Sequence, residues 1–399
     1  MTTNSLFPNY NRADISFETG EGVWLQGSDG RRYLDMGSGI AVTSVGHAHP
    51  HLVATLQEAA TKVWHTSNLY RVPEQERLAD RLVAASFADR VFFCNSGAEA
   101  NEAAIKTARR YHWANGRPER TRIVTFTGAF HGRTLGALAA TGVEKYMEGF
   151  GAPAPGFDKV DLGDWDALNA VVGPETAAIM VEPVQGEGGV RVVDRETLGK
   201  LRKICDDNGL VLIFDEVQTG IGRLGTLFAY QTLGVTPDIL TSAKGIGGGF
   251  PIGACLATEE VGKVMVPGTH GTTFGGTALG CTVANAVLDV VLADGFLEEV
   301  RRKGTFLMQA LSGVVDTHPD VYETVRGEGL MLGVKCRAPA GDVALAARDA
   351  GLLVIPAGDN VVRFLPGLVA TEEDLREAAR RLDAAAESIE AAKKDTAAV

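Results

Sequence analysis

A single lysine, Lys244, stands in "TSAKGIGGGFPIG" at the end of an apolar run and directly before a series of glycines. Two phosphate-binding readings fail there. A phosphate loop needs G-x-x-x-x-G-K-[ST], with the glycine ahead of the lysine, and a dinucleotide fingerprint beginning at Gly245 needs glycine where Phe250 stands. A lysine at the end of an apolar strand is desolvated, which disfavours the ammonium and leaves a nucleophilic amine suited to a Schiff base. Glycines beside it would let the backbone pass close to a flat ligand. An isolated lysine of this kind could equally reach solvent from a strand end, so its company matters.

That company begins with "LVLIFDEVQTGIGRLG", where Asp215 and Glu216 follow an apolar run. A carboxylate in such a place is uncommon without a cation beside it. A pyridinium nitrogen is one such cation, and keeping it protonated makes a pyridoxal ring an electron sink; a helix cap or a metal ligand are the other readings of Asp215. In "FFCNSGAEANEAAIKTARRY" a strand stops at Asn95, and Ser96, Gly97 and Ala98 open a helix. The free N–H groups and positive dipole end of a helix start can hold a phosphate, although Ser-Gly is also an ordinary N-cap. In "FTGAFHGRTLGALAATG", Phe130 can stack on a flat ring or belong to the core, and Arg133 can clamp a carboxylate.

The elements that must position these residues are legible as runs. "RVFFCNS", "RIVTF", "AAIMVEP", "LVLIFDEV", "DILTSAK" and "GACLAT" are short, near-continuously apolar and separated by amphipathic stretches. Strands covered on both faces read this way, so the spacing predicts an α/β fold with a mostly parallel sheet wrapped by helices. Ligands of such sheets sit at the carboxyl ends of strands, where several of these runs finish in polar residues. After Gly280 the pattern turns helical and then mixes short strands, "MLGVKC" and "NVVRFLP", with a last helix opened by Thr371 and Asp374 in a capping box. The expected division is an N-terminal segment over residues 1–45 packing with the small domain, a large domain over 46–290 and a C-terminal small α+β domain over 291–399. "GVWLQGSDGRRYLD" reads as two short strands around a Ser-Asp-Gly turn.

Composition excludes several classes. The formal net charge of -12 over 399 residues comes without a basic stripe, which argues against a nucleic-acid surface. No segment is apolar for long enough to cross a bilayer, and the start lacks a basic head followed by an apolar stretch, so no membrane partner and a cytoplasmic location are expected. The five cysteines are widely spaced and expected to be reduced and mostly buried. "GHAHPH" presents His47, His49 and His51 at alternate positions, on one face if the segment is a strand; with no carboxylate or cysteine nearby, no metal site is expected. Glu102 and Lys106 form a helical i,i+4 pair without evident chemistry.

Six segments, "NSGAEANEAAIK", "AFHGRTLGAL", "VEPVQGEGG", "LIFDEVQTGIGR", "SAKGIGGGFPIGA" and "THGTTFGG", resemble the class III aminotransferases in that family's own order, and the likeness runs essentially end to end. The resemblance implies fold type I, pyridoxal 5'-phosphate as cofactor and a homodimer with shared active sites. It implies that Lys244 holds the cofactor as an imine, that Asp215 pairs with the pyridine nitrogen, and that Gln218 bonds the phenolic oxygen. Gly97 and Ala98, with Ser96, would cradle the phosphate; Phe130 would lie on the ring; Thr273 of the neighbouring subunit would reach the phosphate, and Thr272 the substrate. Arg133 and Arg363 would suit a dicarboxylate, with Glu187 pairing Arg363 while an ω-amine is bound and swinging away for glutamate. Within the family, "SGIAV" and "GHAHP" are most similar to members that move the ω-amino group of N2-acetylornithine to 2-oxoglutarate, giving glutamate. Another ω-amine donor, an aminomutase reaction or a non-catalytic protein of the same fold are the rival readings.

Overall fold

The computed structural model describes residues 5–397. Its centre is a seven-stranded sheet ordered Arg90–Cys94, Gly253–Ala257, Ile239–Ser242, Val211–Asp215, Thr176–Val181, Arg122–Phe126, Phe157–Val160. Only Gly253–Ala257 runs antiparallel to its neighbours; the other pairings are parallel. The six apolar runs are therefore all strands. The seventh, Phe157–Val160, is an edge strand of sequence "FDKV" with one neighbour and mixed burial, so it carries no apolar run to betray it. Residues of Thr176–Val181 and Val211–Asp215 are buried throughout, as strands covered on both faces must be.

Two smaller sheets complete the chain. Trp24–Gly27 and Arg32–Asp35 pair around the Ser-Asp-Gly turn, a further strand, Phe17–Glu21, adds to their edge, and Leu352–Leu353 from the C-terminal region joins the other side. The second sheet runs Tyr322–Glu328, Met331–Cys336, Val361–Phe364, Ile355–Ala357. Helices Phe296–Thr317 and Glu372–Ala397 pack on each other beside it. The last helix begins in a reciprocal capping box: Asp374 N donates to Thr371 Oγ1 at 3.1 Å and Thr371 N to Asp374 Oδ2 at 2.9 Å. Leu375, Ala378 and Leu382 of its inner face are buried.

The histidine segment does not form a strand. Pro50 opens the helix Pro50–Ala60 with His49 at its N-cap, because proline suits a first helical position, and the three rings part company. The fold supplies two of them with carboxylates that the sequence keeps far away: His47 Nε2 meets Asp35 Oδ2 at 2.8 Å and His51 Nε2 meets Asp289 Oδ2 at 3.0 Å. All five cysteines are free and buried. Among the described residues no single helix is long and apolar enough to cross a membrane.

Candidate active site

The carboxyl ends of the central strands open into one cavity of about 450 Å³. Lys244, Asp215, Gln218, Phe130, Arg133, Ser96, Gly97 and Ala98 all line it, although they come from four separate segments of the chain. The convergence follows from topology: parallel strands end on the same side of the sheet, so residues just past their ends meet.

Lys244 follows the strand Ile239–Ser242 and starts the short 3-10 turn Lys244–Gly247 with a left-handed backbone, φ 46°. Non-glycine residues pay for that conformation, and strain of this kind collects at functional positions. Its residual exposure faces the cavity it lines. Burial pushes the amine below the ordinary lysine value, Arg363 adds to the effect, and Glu187, Asp215 and Glu182 oppose it. The glycines after it divide between packing against protein and bordering the cavity. A side chain at Gly248 would run into Leu52 at 2.8 Å and Val287 at 2.9 Å, and Gly245 sits against Ile221 and Ser44. They let the turn pack tightly against protein; among Gly245, Gly247, Gly248 and Gly249 it is Gly249 that borders the cavity.

Asp215 and Glu216 divide. Asp215 Oδ2 accepts from Asn101 Nδ2 at 2.7 Å and His131 Nδ1 at 2.8 Å, and Oδ1 accepts from Val217 N at 3.0 Å. Three donors fix a carboxylate that is 3% exposed. His131 has no partner at its buried Nε2. Glu216 instead takes the backbone N–H groups of Ala229 and Tyr230 at the start of a short helix, and burial lifts its carboxyl to about 7. A second buried carboxyl, Glu182, borders the same cavity and accepts from Phe130 N at 2.7 Å; burial, with the charge of Asp215, pushes it well above the usual range.

Ser96 caps the helix Gly97–Ala114, accepting from Glu99 N at 3.3 Å. That leaves the first-turn N–H groups of Gly97 and Ala98, which have no helical acceptor, facing the cavity. A Cβ on Gly97 would lie 2.7 Å from Val217 Cγ1, so this position has room only for hydrogen. A helix start with first-turn N–H groups free of helical acceptors, a phenyl group at Phe130, a branched side chain at Val217, a buried carboxylate and a desolvated amine thus surround one space. This donor set fits a planar, phosphorylated, cationic-ring cofactor, which Lys244 could hold covalently.

Arg363 and Glu187 are paired as expected, but not at the surface. Arg363 Nη1 donates to Glu187 Oε1 at 2.7 Å and to Gln218 Oε1 at 3.2 Å, with side-chain exposures of 1% for the arginine and 28% for the glutamate. Its Nε remains buried without a partner. Arg133 is exposed at the cavity mouth. Thr272 and Thr273 are not among the lining residues: Thr272 Oγ1 accepts from Asn95 Nδ2 at 3.3 Å, and Thr273 points to the exterior. Glu102, read as half of a helical i,i+4 pair, accepts from Thr134 Oγ1 at 2.6 Å and Ala137 N at 3.0 Å, tying the helix Gly97–Ala114 to the Arg133 turn.

Sequence reasoning passed over Asn101, His131, Glu182, Val217 and Tyr146. Some had a signal. Glu182 directly follows the strand Thr176–Val181 much as Asp215 ends its own, and Asn101 lies one helical turn beyond Gly97. For His131 and Tyr146, partners 84 residues away in the one case and a short exposed helix in the other left nothing to read.

Comparison with known proteins agrees with this geometry. The family described as Aminotransferase class-III matches residues 7–386. The acetylornithine aminotransferase of Agrobacterium fabrum is 58% identical over 386 residues, 97% of each chain. Among solved structures, the ornithine aminotransferase of Toxoplasma gondii superposes with a TM-score of 0.92 at 31% identity, covering 97% of this chain and 93% of its own. The N-acetylornithine aminotransferase of Stenotrophomonas maltophilia gives 0.84 at 39%, covering 96% and 98%. The match spans nearly the whole chain, whose own fold brings the lysine, the aspartate and the helix start to one cavity: this chain belongs to the class III aminotransferases, which depend on pyridoxal 5'-phosphate.

Proposed function

We propose that the chain transfers the ω-amino group of N2-acetyl-L-ornithine to 2-oxoglutarate in a ping-pong cycle, giving N-acetyl-L-glutamate 5-semialdehyde and L-glutamate, as a cytoplasmic enzyme of arginine biosynthesis. The observation that carries this reading is the Glu187–Arg363 pair beside Lys244. With Glu187 on Arg363, the inner carboxylate site is closed, Arg133 is the guanidinium left open, and a donor must enter amine first. The Agrobacterium fabrum relative, named for acetylornithine, supports the choice of donor.

When bound, pyridoxal 5'-phosphate supplies an electron sink and a carrier for the amino group. The Gly97 and Ala98 N–H groups would hold its phosphate, Phe130 and Val217 would flank its ring, Gln218 would bond its phenolic oxygen, and Asp215, fixed by Asn101 and His131, would keep its pyridine nitrogen protonated. Desolvation lowers the Lys244 amine below its ordinary value, which favours the neutral form that acts as nucleophile and then shuttles the proton at the substrate carbon. In the second half-reaction Glu187, the more exposed partner, turns away and Arg363 takes the α-carboxylate of 2-oxoglutarate, so that no buried guanidinium stands unpaired in either half.

A homodimer completes the site in this proposal. Val63, Trp64, Leu69, Tyr70 and Phe274 are exposed around the Thr272–Thr273 loop, Asn68 Nδ2 donates to Gly275 O at 3.0 Å, and His65 packs on Phe274. An apolar face of this kind around two hydroxyls that miss their own cavity suits a second copy. We likewise take residues 46–290 as the large domain, with 1–45 and 291–399 forming the small one; the pairing of Arg32–Asp35 with Leu352–Leu353 supports that grouping.

The test is a donor screen with 2-oxoglutarate, following glutamate, over acetylornithine, succinylornithine, ornithine, 4-aminobutyrate and succinyldiaminopimelate, with borohydride reduction of the holoenzyme in parallel. Acetylornithine should give the highest kcat/KM, and the reduced cofactor should be found on the Lys244 peptide. Preference for another donor defeats the substrate assignment, an unmodified peptide defeats the site, and turnover without 2-oxoglutarate points to an aminomutase.

A further inference from the structure

Arg133 is exposed at the cavity mouth, where a free arginine side chain would sample many rotamers, yet it is stacked. Its guanidinium carbon lies 3.8 Å from the centroid of the Tyr146 ring and 5.6 Å from that of Phe130. The two rings meet edge to face, with centroids 6.4 Å apart and planes at 84°. Among the described residues no carboxylate lies within ion-pairing distance of Arg133, whereas Arg71, Arg90, Arg122 and Arg363 are each paired with one. Tyr146 sits on the helix Glu144–Met147, none of whose residues is buried, so this short element adds nothing to the core. What its aromatic residue covers is the guanidinium.

We infer that Tyr146 is a positioning residue, which holds Arg133 by its face so that the guanidinium edge stays free to take the carboxylate of the amine donor; this rests on the donor reading proposed above. The physical argument has three steps. A guanidinium attracted to a ring face still presents its N–H fork sideways, whereas an ion pair would occupy that fork. With Arg363 occupied by Glu187, the fork of Arg133 is the one free at this cavity for a donor's carboxylate. Finally, Tyr146 is anchored independently of substrate, by its N–H to Val143 O at 2.9 Å and by its edge contact with Phe130, so that Arg133 is ordered before the donor arrives. Ordering a long side chain in advance removes that entropy cost from binding. The contact belongs to the ring face and not to the hydroxyl.

The experiment compares holoenzymes of the wild type, Tyr146→Leu and Tyr146→Phe. Three probes separate the contributions: N-acetylornithine, N-acetylputrescine, which is the same donor without its carboxylate, and N-acetylnorvaline, which keeps the carboxylate but lacks the reacting amine and reports binding by calorimetry. Tyr146→Leu should raise the KM for N-acetylornithine and the Kd for N-acetylnorvaline roughly three- to tenfold, with kcat within about twofold and N-acetylputrescine unaffected. Tyr146→Phe should restore both constants. Equal losses with both donors, a Phe variant as impaired as the Leu variant, or unchanged constants in Tyr146→Leu would each overturn the proposal. A wild type that used N-acetylputrescine as well as N-acetylornithine would instead sink the carboxylate reading of the donor site, and the proposal with it.

Discussion

Replacing Glu187 with glutamine tests the switch directly. In the present arrangement Glu187 Oε1 sits 2.7 Å from Arg363 Nη1, and the arginine is 1% exposed while the glutamate is 28% exposed. Cutting one partner from a fully buried pair costs about 3–5 kcal/mol. That figure is an upper bound here, because Glu187 is itself partly exposed and solvent screens the pair. Glutamine keeps an acceptor oxygen in the same place but loses the charge, and the difference between a charge-assisted and a neutral hydrogen bond is about 1–2 kcal/mol. To bind, the α-carboxylate of 2-oxoglutarate must displace whatever holds Arg363. The variant removes that much competition and should lower the KM for 2-oxoglutarate about five- to thirtyfold, at ~1.4 kcal/mol per factor of ten. The donor half-reaction should move the opposite way: an unmasked Arg363 captures the carboxylate of acetylornithine in a non-productive pose, raising its KM and producing donor inhibition. Initial rates with each substrate varied in turn read both effects, and thermal melts check that folding is intact. Constants that shift in the same direction by the same factor, or a KM for 2-oxoglutarate that rises, would refute the switch and leave the pair as a structural contact.

Two further outcomes follow from other parts of the fold. Gly97→Ala places a methyl carbon 2.7 Å from Val217 Cγ1, and the stiff branched side chain cannot turn away, so overpacking of about 1–3 kcal/mol falls on the cofactor site; titration of the apoenzyme with pyridoxal 5'-phosphate should show roughly tenfold weaker binding, and unchanged affinity would contradict the cradle. His318 meets Glu390 at 3.0 Å through Nδ1 and Asp383 at 3.0 Å through Nε2; burial pulls its pKa down, but the two carboxylates outweigh it and hold the imidazole above its ordinary value of 6.5. Both ring nitrogens can donate only in the imidazolium, so this clamp on the last helix stabilises fully below the unfolded pKa and is lost as pH rises through the folded one. Melting temperatures of wild type and His318→Gln should therefore converge as pH rises above the ordinary value of 6.5 and through the raised folded-state one, and a gap that widened with pH would reverse the assignment.

What the sequence could determine by itself was whatever local chemistry writes into consecutive residues. Strands buried on both faces must be apolar along their length, which made Val211–Asp215 and Thr176–Val181 readable and left the mixed edge strand Phe157–Val160 and the exposed Phe17–Glu21 unread. Polar residues at strand ends pointed to one ligand-facing side, and Lys244, Asp215 and the Ser96 helix start do border one cavity. Only the tertiary structure decided matters set by partners distant in sequence. The sequence separation of 140 from Asn101 to Thr241, like that of 114 from Asn101 to Asp215, closes only when the sheet forms. A glycine looks the same in sequence whether a ligand or Leu52 presses on it, and alternate histidines look like a strand face until Pro50 starts a helix. Whether Glu187 and Arg363 make a weak surface pair or a buried one depended on the fold bringing two residues 176 positions apart together beside Gln218. Side-chain type is a local property, whereas dielectric surroundings, and with them the strength of a charge or the reactivity of an amine, are created by the packing of the whole chain.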